Sequence, residues 1–393
     1  MRIKKSSLDT ILILFAMLAA AAPTVVAKPL VALSLCFILL RVIAGDDKNN
    51  LVSTKILIYL LFLPGILGAI FVAPQNLVRF FGIMLIILGF PFSSFNIKQF
   101  PIVVTSALIL IFLSVTQILL LHENQLILDF RDFGYRDVHA SLFDNYGYVE
   151  NIFRDILDYF KDNYIRAGGL YFNPNVLAVV LLLNFFIFDI SWENNNQITG
   201  HNKKNFKRYI IYTLIISLVI FSIILTKSRT VVIALIAYLI FKNFNFEDLL
   251  RLKFKKKLIM PILLSIIILY IFLERILVGL LNPTGSANIK ILIFFNYIRE
   301  SSLPDLLFGG TFNVNFDTEY GNWLGASGFL CLFAFFIFYR MMYGFSNQSK
   351  ALLISLLVIS IGNTLFYNLL FAAILVPMFI ILLSFNNLLN NHK

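Results

Sequence analysis

The chain has 393 residues, of which 59% are hydrophobic and only 13% charged, whereas a soluble domain carries about a quarter charged residues. Its formal net charge of +11 does not point to nucleic acid, because the basic residues are dispersed among apolar runs rather than gathered into a stripe. Cys36 and Cys331 lie inside apolar runs, and the four histidines are scattered at 122, 139, 201 and 392, so neither a disulfide framework nor a metal centre is indicated.

Apolar runs long enough to cross a bilayer core of about 30 Å recur from end to end. They predict an all-α fold, a polytopic integral membrane protein forming one transmembrane domain over residues 1–393. In chain order the expected spans are Thr10–Val26, Pro29–Ile43, Lys55–Val72, Leu77–Phe95 and Ile102–Leu121. After a long polar interval come Val176–Trp192, Tyr209–Thr226, Thr230–Phe241 and Leu258–Leu280. Trp323–Tyr343, Leu352–Asn363 and Phe366–Phe385 complete the set. The apolar stretch from Ala351 to Phe385 is broken at Gly362-Asn363-Thr364; read as one long tilted helix, it would reduce twelve spans to eleven. The basic start, Met1 to Lys5, resembles a signal peptide, but its apolar run leads straight into a second one and reads as an uncleaved span.

Charge orients the chain. With both termini cytoplasmic, the basic clusters Lys203-Lys204, Lys207-Arg208 and Lys253 through Lys257 fall in short inner loops, as the positive-inside rule requires. Two loops then face the opposite, outer side and are far longer than the rest, 122–175 and 281–322. In the first, Tyr148, Ile152, Ile156, Tyr159 and Phe160 share one helical face, which predicts an amphipathic helix at the membrane surface. In the second, Ile289–Ile298 is apolar but too short to span, which predicts an interfacial or re-entrant helix.

Three polar clusters gather on that outer side. In Arg166-Ala-Gly-Gly169 through Asn173-Pro174-Asn175, Asn173-Pro174 is a turn signal, and Asn173 or Asn175 can cap the following helix. The free N–H groups of that helix and Arg166 would suit an anion, and the bland alternative is an ordinary loop-to-helix junction. Thr226-Lys227-Ser228-Arg229-Thr230 sets two cations between apolar runs on the side where positive charge is disfavoured; they either snorkel to headgroups or hold a phosphate. Asp317-Thr-Glu319-Tyr320 offers two carboxylates for general-base work, although Asp317 could simply cap the next helix and Trp323 be an interfacial aromatic. Lys290 and Arg299 are further phosphate candidates in the same loop. Taken together, cations and a carboxylate pair facing one aqueous compartment suit transfer from a lipid-diphosphate donor, with the cations stabilising the leaving group. No P-loop or dinucleotide fingerprint is present, so no nucleotide cofactor is expected.

These pieces resemble the bacterial O-antigen polymerase and O-antigen ligase family. The resemblance rests on Arg166…Gly169…Asn173-Pro174-Asn175, Ser228-Arg229-Thr230, Leu307-Phe308-Gly309-Gly310, and Asp317-Thr-Glu319-Tyr320 leading to Gly325…Gly328. It covers roughly residues 160 to 345, and the motifs are individually short. It implies an enzyme of the inner (plasma) membrane acting at the periplasmic face, without metal or other cofactor, on an undecaprenyl-diphosphate-linked glycan. Arg166 and Arg229 would hold the diphosphate, Glu319 or Asp317 would act as base, and Asn175 and Tyr320 would contact sugar or phosphate. Its partners would be the lipid-linked donor and acceptor, membrane lipids, a chain-length regulator and a flippase. Ligases carry a histidine in the second long loop, where this chain has Asp317 and Glu319, which favours the polymerase branch. Lys290 stands where an arginine is expected. A transporter of the same lipid-linked sugar is the reading of a different class; spans almost free of charge argue against it.

Overall fold

The computed structural model describes residues 24–43, 52–72, 174–198, 206–226, 228–243, 286–309, 318–343 and 347–363, with a few isolated positions between 11 and 108. Among these residues every regular element is a helix. They are α1 (Thr24–Ile43), α2 (Val52–Val72), α3 (Pro174–Ile198), α4 (Phe206–Leu225), α5 (Arg229–Asn243), α6 (Ser286–Glu300), α7 (Leu303–Phe308), α8 (Glu319–Tyr343) and α9 (Asn347–Gly362). The expected spans Leu258–Leu280 and Phe366–Phe385, most of Thr10–Val26, Leu77–Phe95 and Ile102–Leu121, and the amphipathic helix at 148–160 lie outside the described residues. α1 begins at Thr24 rather than Pro29 and carries Pro29 inside it, where the proline ring removes the hydrogen bond to Val25 O. α9 ends at Gly362, where Asn363 N donates to Ile359 O at 2.8 Å, so the break expected at Gly362-Asn363-Thr364 is a helix end.

The chain divides into two compact units, Ile13–Leu33 with Asn96–Ser228, and Met1–Leu12 with Ser34–Phe95 and Arg229–Lys393. In the first unit, every residue of α3 from Leu177 to Ile190 is buried, as expected of a helix that is apolar on all sides. That stretch includes Asn184 and Asp189. The Tyr212 hydroxyl of α4 donates to Asp189 Oδ1. The Tyr212 ring stacks between Phe188, at a centroid distance of 6.0 Å, and Trp192, at 5.2 Å. A buried carboxylate without donors would cost several kcal/mol, so this hydroxyl and its aromatic sandwich join α3 to α4.

In the second unit, α2 packs against α8 through a cage of rings. Trp323 lies 5.7 Å from Phe62, 5.2 Å from Phe80 and 5.3 Å from Phe335. The opposite side of α2 exposes Ile56, Leu60, Leu63, Leu67, Ile70 and Phe71, the last 82% exposed. Their spacing of three and four makes one apolar outer stripe, which the surface of a soluble protein rarely carries.

One helix among the described residues, Glu319–Arg340, is long and apolar enough by length and composition to cross a membrane; Lys55–Phe71, Asn175–Ile190, Ile210–Ile224 and Lys350–Gly362 are shorter apolar helices. α8 is nevertheless not one straight rod, which corrects the expectation of an unbroken span over Trp323–Tyr343. Gly328 has φ 67° and ψ −169°, and separates a leg at 319–327 from a leg at 329–343. Trp323 and Phe335 would be about 18 Å apart along a straight helix, yet their ring centroids are 5.3 Å apart. The two legs therefore fold back on each other. α6 and α7 pack across both, with Tyr297 and Leu324 buried together and Leu306 and Leu332 beside them. α6 replaces the short apolar helix expected at Ile289–Ile298 with one that extends a turn further in sequence at its start.

Candidate functional site

Helix α9 organises the site. It runs antiparallel to α5: Ser355 Oγ donates to Ala234 O at 2.7 Å, and Gly362 lies against the Thr230 side chain. A methyl group at 362 would collide with Thr230 Oγ1, so glycine sets the closeness of this contact. Arg229 and Thr230 thus begin α5 at the end of α9 where Gly362 closes it. The Tyr320 hydroxyl of α8 donates to Leu357 O of α9 at 3.4 Å. From Leu357 to Gly362 is about 7 Å along a helix axis. The last turns of α9 therefore gather Arg229-Thr230 and Glu319-Tyr320, two motifs far apart in the chain.

The start of α8 is built by its own residues. Thr318 Oγ1 accepts from Gly321 N at 3.1 Å, which makes Thr318 the cap; the alternative reading of Asp317 as the capping residue is corrected. Glu319 occupies the first turn, where the exposed N–H groups of the helix favour negative charge. Its side chain is fully buried, and Oε1 accepts from Trp323 Nε1 at 2.6 Å. The ring cage around Trp323 fixes the indole, and the indole fixes the carboxylate. Trp323, expected as an interfacial aromatic, is instead fully buried. The i, i+4 spacing of Glu319 and Trp323 was the signal for this partnership.

The turn before α5 uses its hydroxyls to end α4. Thr226 Oγ1 donates to Ile223 O at 2.6 Å and accepts from Ser228 N at 3.3 Å; both side chains are buried. Arg229 is exposed on the first residue of α5. A cation at a helix amino-terminus opposes the helix dipole, so Arg229 does not stand there to stabilise α5.

The remaining candidates are placed less closely together. Arg299 is exposed in the last turn of α6, where a cation complements the dipole. Lys290 lies in the same helix, about 13 Å away along the axis, and its side chain is outside the described residues. Arg166, Gly169, Asn173, Lys227 and Asp317 also lie outside them. α3 starts at Pro174, in keeping with the turn read at Asn173-Pro174 and with the preference of proline for a first helical position. Asn175 is then the second helical residue, half-buried, and not the cap; it belongs to the other compact unit. Sequence reasoning passed over Asp189, which had a visible signal as an acid inside an apolar run.

Among the described residues no group of three or more His, Cys, Asp or Glu side chains is arranged to hold a metal ion. Comparison with known protein families, with curated proteins and with solved structures finds no match to this chain.

Proposed function

We propose that the chain is a polytopic inner-membrane glycosyltransferase that polymerises a glycan carried on undecaprenyl diphosphate, with both termini cytoplasmic and its site open to the periplasm. The observation that carries this reading is the gathering of Arg229-Thr230 and Glu319-Tyr320 at the last turns of α9. The apolar outer stripe of α2 supports the membrane setting.

In the proposed reaction the bond between the donor sugar and its diphosphate breaks, and a bond forms from that sugar to a hydroxyl of the acceptor repeat unit. The hydroxyl proton passes to a carboxylate, Glu319 or Asp317. Undecaprenyl diphosphate departs with its negative charge held by Arg229, whose planar guanidinium group binds phosphate oxygens bidentately. Lys227, Lys290 and Arg299 are the accessory cations of this proposal. Gly169, Asn173, Asn175 and Tyr320 are its substrate contacts, and no metal or cofactor takes part.

The test is a deletion strain complemented with variants. Loss of the gene should leave lipid A core bearing a single repeat unit, and wild-type complementation should restore long glycan. Arg229→Ala, present at normal abundance in the membrane, should not restore it; if it does, the reading is wrong. Bare core in the deletion strain would identify a ligase instead. The buried Asp189 favours a transporter, which would reveal itself by repeat units accumulating on the inner leaflet, but the Tyr212 bond accounts for that acid as a helix clamp.

A further inference from the structure

The first turns of α2 turn their charge inward and their apolar side chains outward. Ile56 and Leu57 are 52% and 45% exposed, while Lys55 beside them is 5% exposed. Lys55 opens a buried stripe that continues with Ile58, Phe62, Gly65 and Ala69, spaced by three and four. This is the stripe that meets α8: Phe62 lies against Trp323, and Gly65 against the Ser327 side chain. The lysine therefore lies on the face of α2 that packs against α8. In the first turn it opposes the dipole of α2, so it does not stand there to stabilise its own helix.

An ammonium taken out of water is costly unless an opposite charge meets it. Among the described residues two carboxylates are buried, Asp189 and Glu319, and Asp189 belongs to the other compact unit. Helix register leads to Glu319. Passing from the Phe62–Trp323 contact to the Gly65–Ser327 contact advances along both chains, so α2 and the first leg of α8 run in the same direction. Lys55 precedes Phe62 by seven residues, about 10 Å along the axis, and Glu319 precedes Trp323 by four, about 6 Å. The Lys55 backbone thus stands only about 4 Å beyond the level of Glu319. The flexible four-carbon stem of a lysine suits such an offset across two packed helices. The Trp323 indole occupies one of the roughly four acceptor positions of an ionised carboxylate, which leaves capacity for an ammonium.

We infer that Lys55 is the counter-ion of Glu319, forming a buried lysine–glutamate pair across the contact of α2 with α8. Lys55 is a positioning residue in this arrangement. Its charge holds the carboxylate in the ionised form that can take a proton from a hydroxyl, and the Trp323 indole aims it. The pair follows from packing and register alone. Its service to a general base rests on the glycosyltransferase reading proposed above. In the sequence Lys55 reads only as the first residue of a span, since a lysine at the end of an apolar run is the ordinary mark of an interface.

The test is a double-variant cycle on the full-length protein, with thermal unfolding in detergent and glycan length in the complemented deletion strain as its two readouts. Lys55→Met keeps the apolar stem and strands the buried carboxylate, so the unfolding midpoint should fall by at least about 5 °C. Adding Glu319→Gln removes the stranded charge and should recover at least half of that fall. An equal fall for Lys55→Met with and without Glu319→Gln would show that the two charges are not paired, and the inference would be overturned. Long glycan per folded molecule should drop about tenfold or more in Lys55→Met, and Lys55→Arg, which keeps the positive charge, should restore most of it. If Lys55→Arg is as inactive as Lys55→Met while the stabilities are coupled, the charge does not serve the acid and the positioning role falls. Coupled stabilities with long glycan unchanged in every variant would leave the pair standing and overturn the glycosyltransferase reading instead. Should Lys55→Met fail to accumulate, accumulation itself is read: recovery in the Lys55→Met/Glu319→Gln protein supports the pair, and no recovery overturns it.

Discussion

Among the described residues each compact unit buries one carboxylate in an apolar helix, and the two are held in different ways. Asp189 of α3 takes its bond from Tyr212 of α4, so the bond stitches one helix to another, and the Phe188–Tyr212–Trp192 stack clamps the junction. Glu319 takes its bond from Trp323, one turn along the same helix. Breaking the Glu319–Trp323 bond separates no helices. Other contacts join the helices around it: Ser355 to Ala234, Tyr320 to Leu357, and Gly362 against Thr230. A bond between elements is what a fold needs, whereas a bond within one element orients a group. The Tyr212 bond ties Asp189 to a second helix, whereas the Trp323 bond orients the Glu319 carboxylate within its own helix, as the proposed role of general base requires.

The largest expected effect separates the two directly. Glu319→Gln keeps the shape and the contact with Trp323 but removes the basic oxygen. Long-glycan formation should fall by about 10²- to 10⁴-fold, the range for losing a general base, with membrane abundance unchanged. Asp189→Asn should do the opposite: activity per folded molecule is kept, while stability falls by about 1–3 kcal/mol as the charge-assisted bond is lost. Quantitative glycan gels and thermal unfolding in detergent measure the two quantities. Equal activity loss in both variants at equal stability would erase the distinction.

Next comes the close backbone contact between Gly328 of α8 and Leu307 of α7. Gly328→Ala forces a side chain into the left-handed region and against the Leu307 carbonyl. Strain and overpacking together should cost roughly 2–5 kcal/mol, read as loss of a monodisperse peak by fluorescence-detected size exclusion. Gly309→Ala should behave alike, since its methyl meets Ala326 and Ser327. If both variants fold as the wild type does, the backbones at Gly309 and Gly328 do not approach as closely as described.

Much of this fold could be read in the chain because apolar runs set helices almost directly. Val52–Val72, Pro174–Ile198 and Arg229–Asn243 each contain an expected span, and Phe206–Leu225 holds all but the last residue of Tyr209–Thr226. Gly362-Asn363-Thr364 could be read as a break because polar and flexible residues coincide there. The break at Gly328 could not, because apolar and small residues flank it and glycine is common inside spanning helices. Its cause is tertiary, the approach of the backbone at 307–309. The same limit applies to the site. Arg229, Glu319 and Tyr320 were visible as polar residues in apolar surroundings, but their meeting at α9 depends on a helix that carried no signal of chemistry. Asp189 was overlooked because one acid hardly alters the hydropathy of the run around it.

The aromatic partners sharpen the comparison at smaller amplitude. Tyr212→Phe keeps the stack but removes the hydroxyl that donates to Asp189; about 1 kcal/mol of stability should be lost. Trp323→Phe removes the indole donor while keeping an aromatic ring in the cage of Phe62, Phe80 and Phe335. Here the loss should appear in turnover, about tenfold or one unit of 1.4 kcal/mol, because the carboxylate is no longer aimed. Ser355→Ala tests the premise that other contacts hold the second unit together. Its hydroxyl bonds Ala234 O, a carbonyl in the interior of α5. Removing it should cost only about 0.5–1 kcal/mol, seen as a small drop in the unfolding midpoint with glycan length unchanged. A larger loss, or a change in product length, would mean that the α5–α9 contact tunes the site rather than merely supporting it. The separation of clamp from chemistry would then have to be redrawn to include it.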